Sequence, residues 1–214
     1  VTENTKAIIL NTPNNPTGAV YTPEETQRLV DFAVKHDLWI LDDMIYSTLV
    51  WTDVGYTSPC AFEGGSERTI TIGGWSKGWA ITGWRLGWIT GPTNVMDGVK
   101  VVNVSSATHV PTFLMPAAAK ALSLEEEVQE MKDAFAERRV LMHQGLSSLP
   151  GFVVPEPEGA FYILCDITGT GLTDIEFAHQ ALEHAQVQVI PGSLMKGGDG
   201  LIRISYATSI ANIH

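Results

Sequence analysis

Short apolar runs alternate with an amphipathic segment in the first half of the chain, and few architectures accommodate that order. Residues 6–10 read KAIIL, residues 38–42 LWILD, residues 68–73 RTITIG and residues 85–90 RLGWIT, each of a length that suits a buried strand. Between the first two, Thr22, Pro23 and Glu25 form a capping box with proline at the first helical position. Leu29, Val30, Phe32 and Ala33 then give that helix a buried stripe, and it is expected to run to about His36. Strands that alternate with helices pair side by side in a largely parallel sheet, so an α/β domain is expected here. Asp42 and Asp43 fall at the carboxyl end of the second strand, where open α/β sheets place their ligand sites.

From Pro111 the pattern changes. Residues 124–149 carry Val128, Met131, Phe135, Val140 and Leu141 on a broadly helical period, and Pro150 and Gly151 close that helix. FVV, AFYILCD, a helix over residues 174–185, VQVI and LIRISYA follow, an α+β order expected to make a second, smaller domain. Residues 1–127 are therefore expected to form the larger domain and residues 128–214, with the long helix as bridge, the smaller one. Because the first residue is Val1 rather than Met and residues 208–214 stop inside a helix-compatible run, part of a longer protein is expected. The small domain is then truncated at its end and the piece inactive by itself.

Charge and composition narrow the function classes. Lys and Arg number 13 against 24 Asp and Glu, a net charge of −11 that repels nucleic acid phosphates. No apolar run approaches the roughly 18 residues of a membrane span and no leader pattern opens the chain, so a cytoplasmic protein is expected without a membrane partner. Cys60 and Cys165 lie far apart with no metal-ligand spacing, which points to free thiols and no metal.

Two cations stand out in GGWSKGWAITGWRLG. Lys77 lies among Gly73, Gly74, Ser76 and Gly78 just after a strand, where a ligand can approach its amine closely; a solvated surface lysine is the plainer alternative. Arg85, eight positions on, sits between a glycine and a strand, and its planar guanidinium could grip a phosphate through two parallel hydrogen bonds or pair with a carboxylate. An amine and a phosphate clamp at this spacing fit the two ends of one pyridoxal phosphate. Asp43 could keep a pyridine nitrogen protonated, with Asp42 as its competitor, and Tyr46 could donate to a ring oxygen. In NTPNNPTG, residues 11–18, two prolines and three asparagines force an irregular turn that fixes Asn15. Arg203 alternates with Ile202 and Ile204, so it faces away from both; a carboxylate ligand or a surface ion pair would suit it equally.

Taken in order, NNPTG, DDMIY, SKGWAITGWRLG, PEGAFY, VIPGS and RISYA resemble six blocks of the class I and II pyridoxal phosphate-dependent aminotransferases of fold type I, the aspartate aminotransferase superfamily. That resemblance implies a three-layer large domain, of which this chain holds the carboxyl-terminal part, followed by a small α+β domain. It implies that Lys77 holds the cofactor aldehyde and moves the substrate proton, and that Asp43 faces the pyridine nitrogen. Tyr46 and Asn15 then serve the ring oxygen, Arg85 the phosphate, and Arg203 with Asn15 the substrate α-carboxylate. The implied activity is transfer of an amino group between an L-amino acid, aspartate or aromatic by preference, and a 2-oxo acid such as 2-oxoglutarate, in a homodimer. A carbon-sulfur β-lyase and a kynurenine or glutamine-type transaminase share the fold. An aminotransferase-like ligand-sensing module of a regulator would need a basic DNA-binding segment that this acidic sequence does not contain. Two departures from the family pattern appear. Gly74 stands where many members place a phosphate-binding serine, three residues before the lysine. Family chains are also about twice as long, with a ring-stacking aromatic residue and a phosphate loop expected upstream.

Overall fold

The computed structural model describes all residues from Val1 to His214. It divides into two compact units, one of residues Val1–Pro13 and Val20–Glu130, the other of Asn14–Ala19 and Met131–His214.

The first unit is built on a four-stranded sheet in the order β1-β2-β3-β4. Strands β1 (Ala7–Asn11), β2 (Trp39–Asp43) and β3 (Thr69–Gly74) run parallel, and β4 (Gly87–Thr90) is antiparallel to β3. Helix α1 (Pro23–Lys35) starts at the expected capping box: the Thr22 hydroxyl accepts from Glu25 N–H and the Glu25 carboxylate accepts from Thr22 N–H. Its Val30 and Ala33 pack with Leu10, Leu38 and Ile40 in one core cluster, and each buried valine, leucine or isoleucine there contributes about 1.5–3 kcal/mol. Asp37, at φ 50°, turns the chain from the helix straight into β2, as the absence of a loop in the sequence requires.

Burial alternates along the strands as side-chain direction alternates. Leu10, Ile40, Asp42 and Thr71 are buried on one face, while Ile9, at 73% exposure, together with Ile72 and Ile89, is exposed on the other. The register places Asn11 beside Asp43 and Asp43 beside Ile72, so β1 and β2 end level and β3 runs on to Gly74.

Helix α2 (Thr93–Ser106) is not anticipated by the sequence reading. Pro92 at its N-cap makes no side-chain cap hydrogen bond, Gly98, a poor helix former, lies within it, and its valines form no buried stripe: Val101, Val102 and Val104 are all exposed. Helix α3 (Leu114–Ala121) buries Leu114 and Ala118 against Leu86, with Trp75 and Val110 alongside.

Helix α4 (Glu125–Ser147) opens on three glutamates, which suit the positive end of the helix macrodipole. The second unit has a three-stranded antiparallel sheet in the order β5-β7-β6, with β5 (Tyr162–Asp166), β6 (Ile190–Pro191) and β7 (Leu201–Ser205). Helix α5 (Asp174–Ala185) begins at a second capping box, Thr173 with Glu176, and the short α6 (Ile210–Ile213) is capped by Ser209. Two expected strands are smaller than their apolar residues suggest. FVV makes a single bridge, Val153 with Asp166, and only Ile190 of VQVI joins the sheet, since neither run finds a full-length neighbour to pair with.

Candidate active site

In the first unit, four of the residues singled out by sequence come to one end of the sheet. Asp43 ends β2, and its carboxylate accepts from the Ile45 N–H at 3.3 Å while its carbonyl accepts from the Asn11 amide at 3.2 Å. Tyr46, 4% exposed, lies in the turn that follows. Lys77 is three residues beyond β3, in a turn over Ser76–Trp79, with its Nζ 6.0 Å from the centroid of the Tyr46 ring. Since β4 is antiparallel to β3, with Gly74 beside Gly87, Arg85 just before β4 belongs to this same end.

The turn under Lys77 depends on close approach. A Cβ at Gly78 would come within 2.3 Å of Thr48 Oγ1, so the turn lies directly on the segment that follows Tyr46. Arg85 takes the left-handed conformation, φ 54° and ψ 43°, which costs a non-glycine residue about 1–2 kcal/mol. Its exposed guanidinium donates to the Thr82 carbonyl at 3.0 Å, and β4 begins only at Gly87. Gly74 also has a structural reason: a Cβ there would stand 2.8 Å from the Leu86 carbonyl oxygen, leaving no room for serine while β3 and β4 pair this tightly.

Asp42 and Asp43 separate by face. Asp42 points into the buried side with Ile40, is 0% exposed, accepts from the Tyr56 hydroxyl at Oδ2 and lies 3.5 Å from the Thr71 hydroxyl. Burial pushes its carboxyl above the ordinary range, aided by the neighbouring Asp43 charge and opposed by those two hydrogen bonds. The Tyr56 hydroxyl is likewise pushed up, by burial and then by Asp42. Asp43 is half-buried on the other face. The Tyr56 partner is invisible in sequence, although strand alternation from Ile40 is signal enough to bury Asp42.

In the second unit Arg203 lies on β7, opposite Leu164 of β5 and Ile190 of β6. Its Nη1 donates to Asn15 Oδ1 at 2.9 Å, joining residues 188 positions apart, and its guanidinium lies 4.8 Å from the Tyr162 ring centroid. A stacked guanidinium with further N–H donors is a ready bidentate partner for a carboxylate. Asp174 lies just beyond the carboxyl end of β6: it accepts from the Ser193 N–H at 2.7 Å, and hydrogen bonding by Ser193 holds its carboxyl below the usual range.

An amine, a carboxylate, a phenol and a guanidinium at one sheet end are groups that could hold the aldehyde, ring nitrogen, ring oxygen and phosphate of pyridoxal phosphate. These residues fit that group.

Comparison with known proteins agrees with this chemistry. The chain is 43% identical over 213 residues to an aspartate aminotransferase of Pyrococcus abyssi, covering 98% of this chain and 54% of that protein. It is 44% identical over 213 residues to aromatic-amino-acid aminotransferase 2 of Thermococcus litoralis, again covering 98% and 54%. The solved aromatic aminotransferase of Pyrococcus horikoshii OT3 superposes with a TM-score of 0.95 at 40% identity, covering all of this chain and 58% of that one. The chain thus spans about half the length of the curated relatives it matches. With the profile of aminotransferase class I and II matching residues 1–214 from end to end, the chain belongs to that family.

Proposed function

We propose that this chain carries the lysine side and the substrate-carboxylate side of an aminotransferase that exchanges an amino group between an aspartate-like or aromatic L-amino acid and a 2-oxo acid. The observation that carries the reading is the gathering of Lys77, Asp43, Tyr46 and Arg85 at the carboxyl end of the parallel strands, in a chain of this family. The names of the relatives support the substrate preference.

Pyridoxal phosphate, when bound, supplies an electron-accepting ring conjugated to the substrate nitrogen. The remaining work belongs to the protein. Lys77 would hold the cofactor through its Nζ; once displaced by the substrate amine, that nitrogen would take the proton from the substrate α-carbon. Asp43 would keep a positive charge on the ring nitrogen, and its half-buried position strengthens that pairing relative to water. Tyr46 would donate to the ring oxygen and Arg85 would hold the phosphate. Arg203, with Asn15, would grip the α-carboxylate and so fix the direction of the bond to the α-hydrogen.

A homodimer in a reducing compartment completes the reading. Val101, Val102 and Val104 give α2 an exposed apolar face of the kind that subunit contacts cover, and Cys60 and Cys165 are both free. No helix is long and apolar enough to cross a membrane.

Lys77→Ala tests the core of this reading. It is expected to abolish transamination and the visible absorbance of lysine-bound cofactor; retained absorbance would assign that bond to another lysine. Prompt pyruvate from cystathionine without an amino acceptor would move the chain to the carbon-sulfur lyases.

A further inference from the structure

We infer that Arg139 is a positioning residue that seats the Asn15–Arg203 pair, acting through the segment from Glu156 to Tyr162; the inference rests on the reading of Arg203 as the carboxylate ligand. Arg139 lies on α4, and its Nη1 donates to the Pro157 carbonyl at 2.9 Å and stands 3.2 Å from Glu156 Oε1. Glu156 is 63% exposed at its side chain, so the ion pair itself adds little. The bond to the carbonyl is sheltered, because the Arg139 side chain is only 19% exposed. His143, one helical turn on, ties the chain just before this segment at the Val154 carbonyl, 3.1 Å from its Nε2.

What this segment supports is the loop that carries Asn15. The Gly18 carbonyl accepts from both Glu158 N–H, at 2.9 Å, and Gly159 N–H, at 2.7 Å. Gly18 has φ +73°, and a Cβ there would lie 2.7 Å from the Pro157 Cβ and 3.1 Å from the Gly159 and Tyr162 carbonyl oxygens. The loop therefore rests on residues 157–162 without slack. It is also closed on itself: Gly18 N–H donates to the Asn14 carbonyl at 2.9 Å, and Asn14 Oδ1 accepts from the Thr17 hydroxyl at 2.8 Å. A closed loop moves as a body, so a shift of Pro157 is passed to Asn15.

The same segment leads into Tyr162, whose ring lies beneath the Arg203 guanidinium. Arg139 thereby holds one support common to both members of the pair. Its two contacts, to a backbone carbonyl and a carboxylate, both come from Nη1, so a lysine ammonium on a shorter stem reproduces them only in part.

The test is steady-state kinetics of the holoenzyme with Arg139→Met, Arg139→Lys and Arg203→Lys, together with amide hydrogen exchange at Glu158 and Gly159 without cofactor. In Arg139→Met, KM for the amino donor and for the 2-oxo acid is expected to rise together by about tenfold, the equivalent of about 1.4 kcal/mol, with kcat within about threefold of wild type. Absorbance of the bound cofactor and its pH titration should not move, exchange at both amides should quicken, and Arg139→Lys should recover part of the loss. Unchanged KM in Arg139→Met while Arg203→Lys raises it would overturn the inference alone. So would a fall in kcat and cofactor absorbance at unchanged KM, which is the mark of a merely structural role. Unchanged KM in Arg203→Lys would remove the carboxylate reading and this inference with it.

Discussion

Asp42→Asn isolates the cost of burying a carboxyl beside Asp43. Asp42 is 0% exposed, its Oδ1 has no hydrogen-bond partner, and Tyr56 and Thr71 serve only Oδ2. Burial, the largest cause, raises its pKa above the ordinary 3.8. In the unfolded chain the proton leaves near that ordinary value, whereas the native state keeps it to higher pH. Between the two, the native state binds more protons, so stability contributed by this group is fully present below 3.8 and falls as pH rises, levelling off above the native pKa. Each pH unit inside that window removes about 1.4 kcal/mol. Asparagine is neutral in both states and can still accept from Tyr56. The stability of wild type minus that of Asp42→Asn should therefore decline with rising pH. Tyr56→Phe supplies the companion magnitude: removing the hydroxyl from a buried carboxyl is expected to cost about 1–3 kcal/mol, with each kcal/mol lowering Tm by about 2–4 °C in a chain of this size. Urea unfolding of the three proteins in steps from about pH 4 to 8, read against the linear dependence on denaturant, measures both effects. A wild type to Asp42→Asn difference that stays constant over this range would refute the burial argument, since Asp42 would then ionise equally in folded and unfolded chains.

The thiols should be unequal: Cys60 is exposed, whereas burial pushes the Cys165 thiol up to about 12, so a thiol reagent near pH 8 is expected to label one cysteine in the native protein and both in denaturant. Two labels on the native protein would contradict the packing of β5. Gly78→Ala should lift the Lys77 turn off Thr48, because the new methyl group would stand 2.3 Å from Thr48 Oγ1. Loss of lysine-bound cofactor absorbance with an unchanged far-ultraviolet spectrum is expected, and full absorbance would show that the turn has room to spare.

Much of the fold is legible in local chemistry. The capping box at Thr22–Glu25 marks the start of α1, and the run of apolar residues in each of β1, β2 and β3 matches a strand to within one residue. Helix α2 escapes notice because its valines are exposed and no side chain caps it. VQVI and FVV mislead in the other direction, since apolar composition does not supply a pairing neighbour.

Of the candidate site, sequence supplies the residue types and the strand-end positions. Lys77, Asp43, Tyr46 and Arg85 all lie within two short stretches of chain, and strand alternation alone turns Asp42 away from Asp43. Tertiary structure alone decides which distant groups meet. Tyr56 reaches Asp42 across 14 residues and Arg203 reaches Asn15 across 188, and no local rule specifies either pair. The glycines divide in the same way. Gly18 and Gly78 look like ordinary turn residues in the sequence, yet the reason no side chain fits is set by Pro157 and Thr48, which only the folded chain brings against them. Local preference follows from near neighbours along the backbone, whereas steric exclusion and buried hydrogen bonds depend on what the finished packing places at the other side.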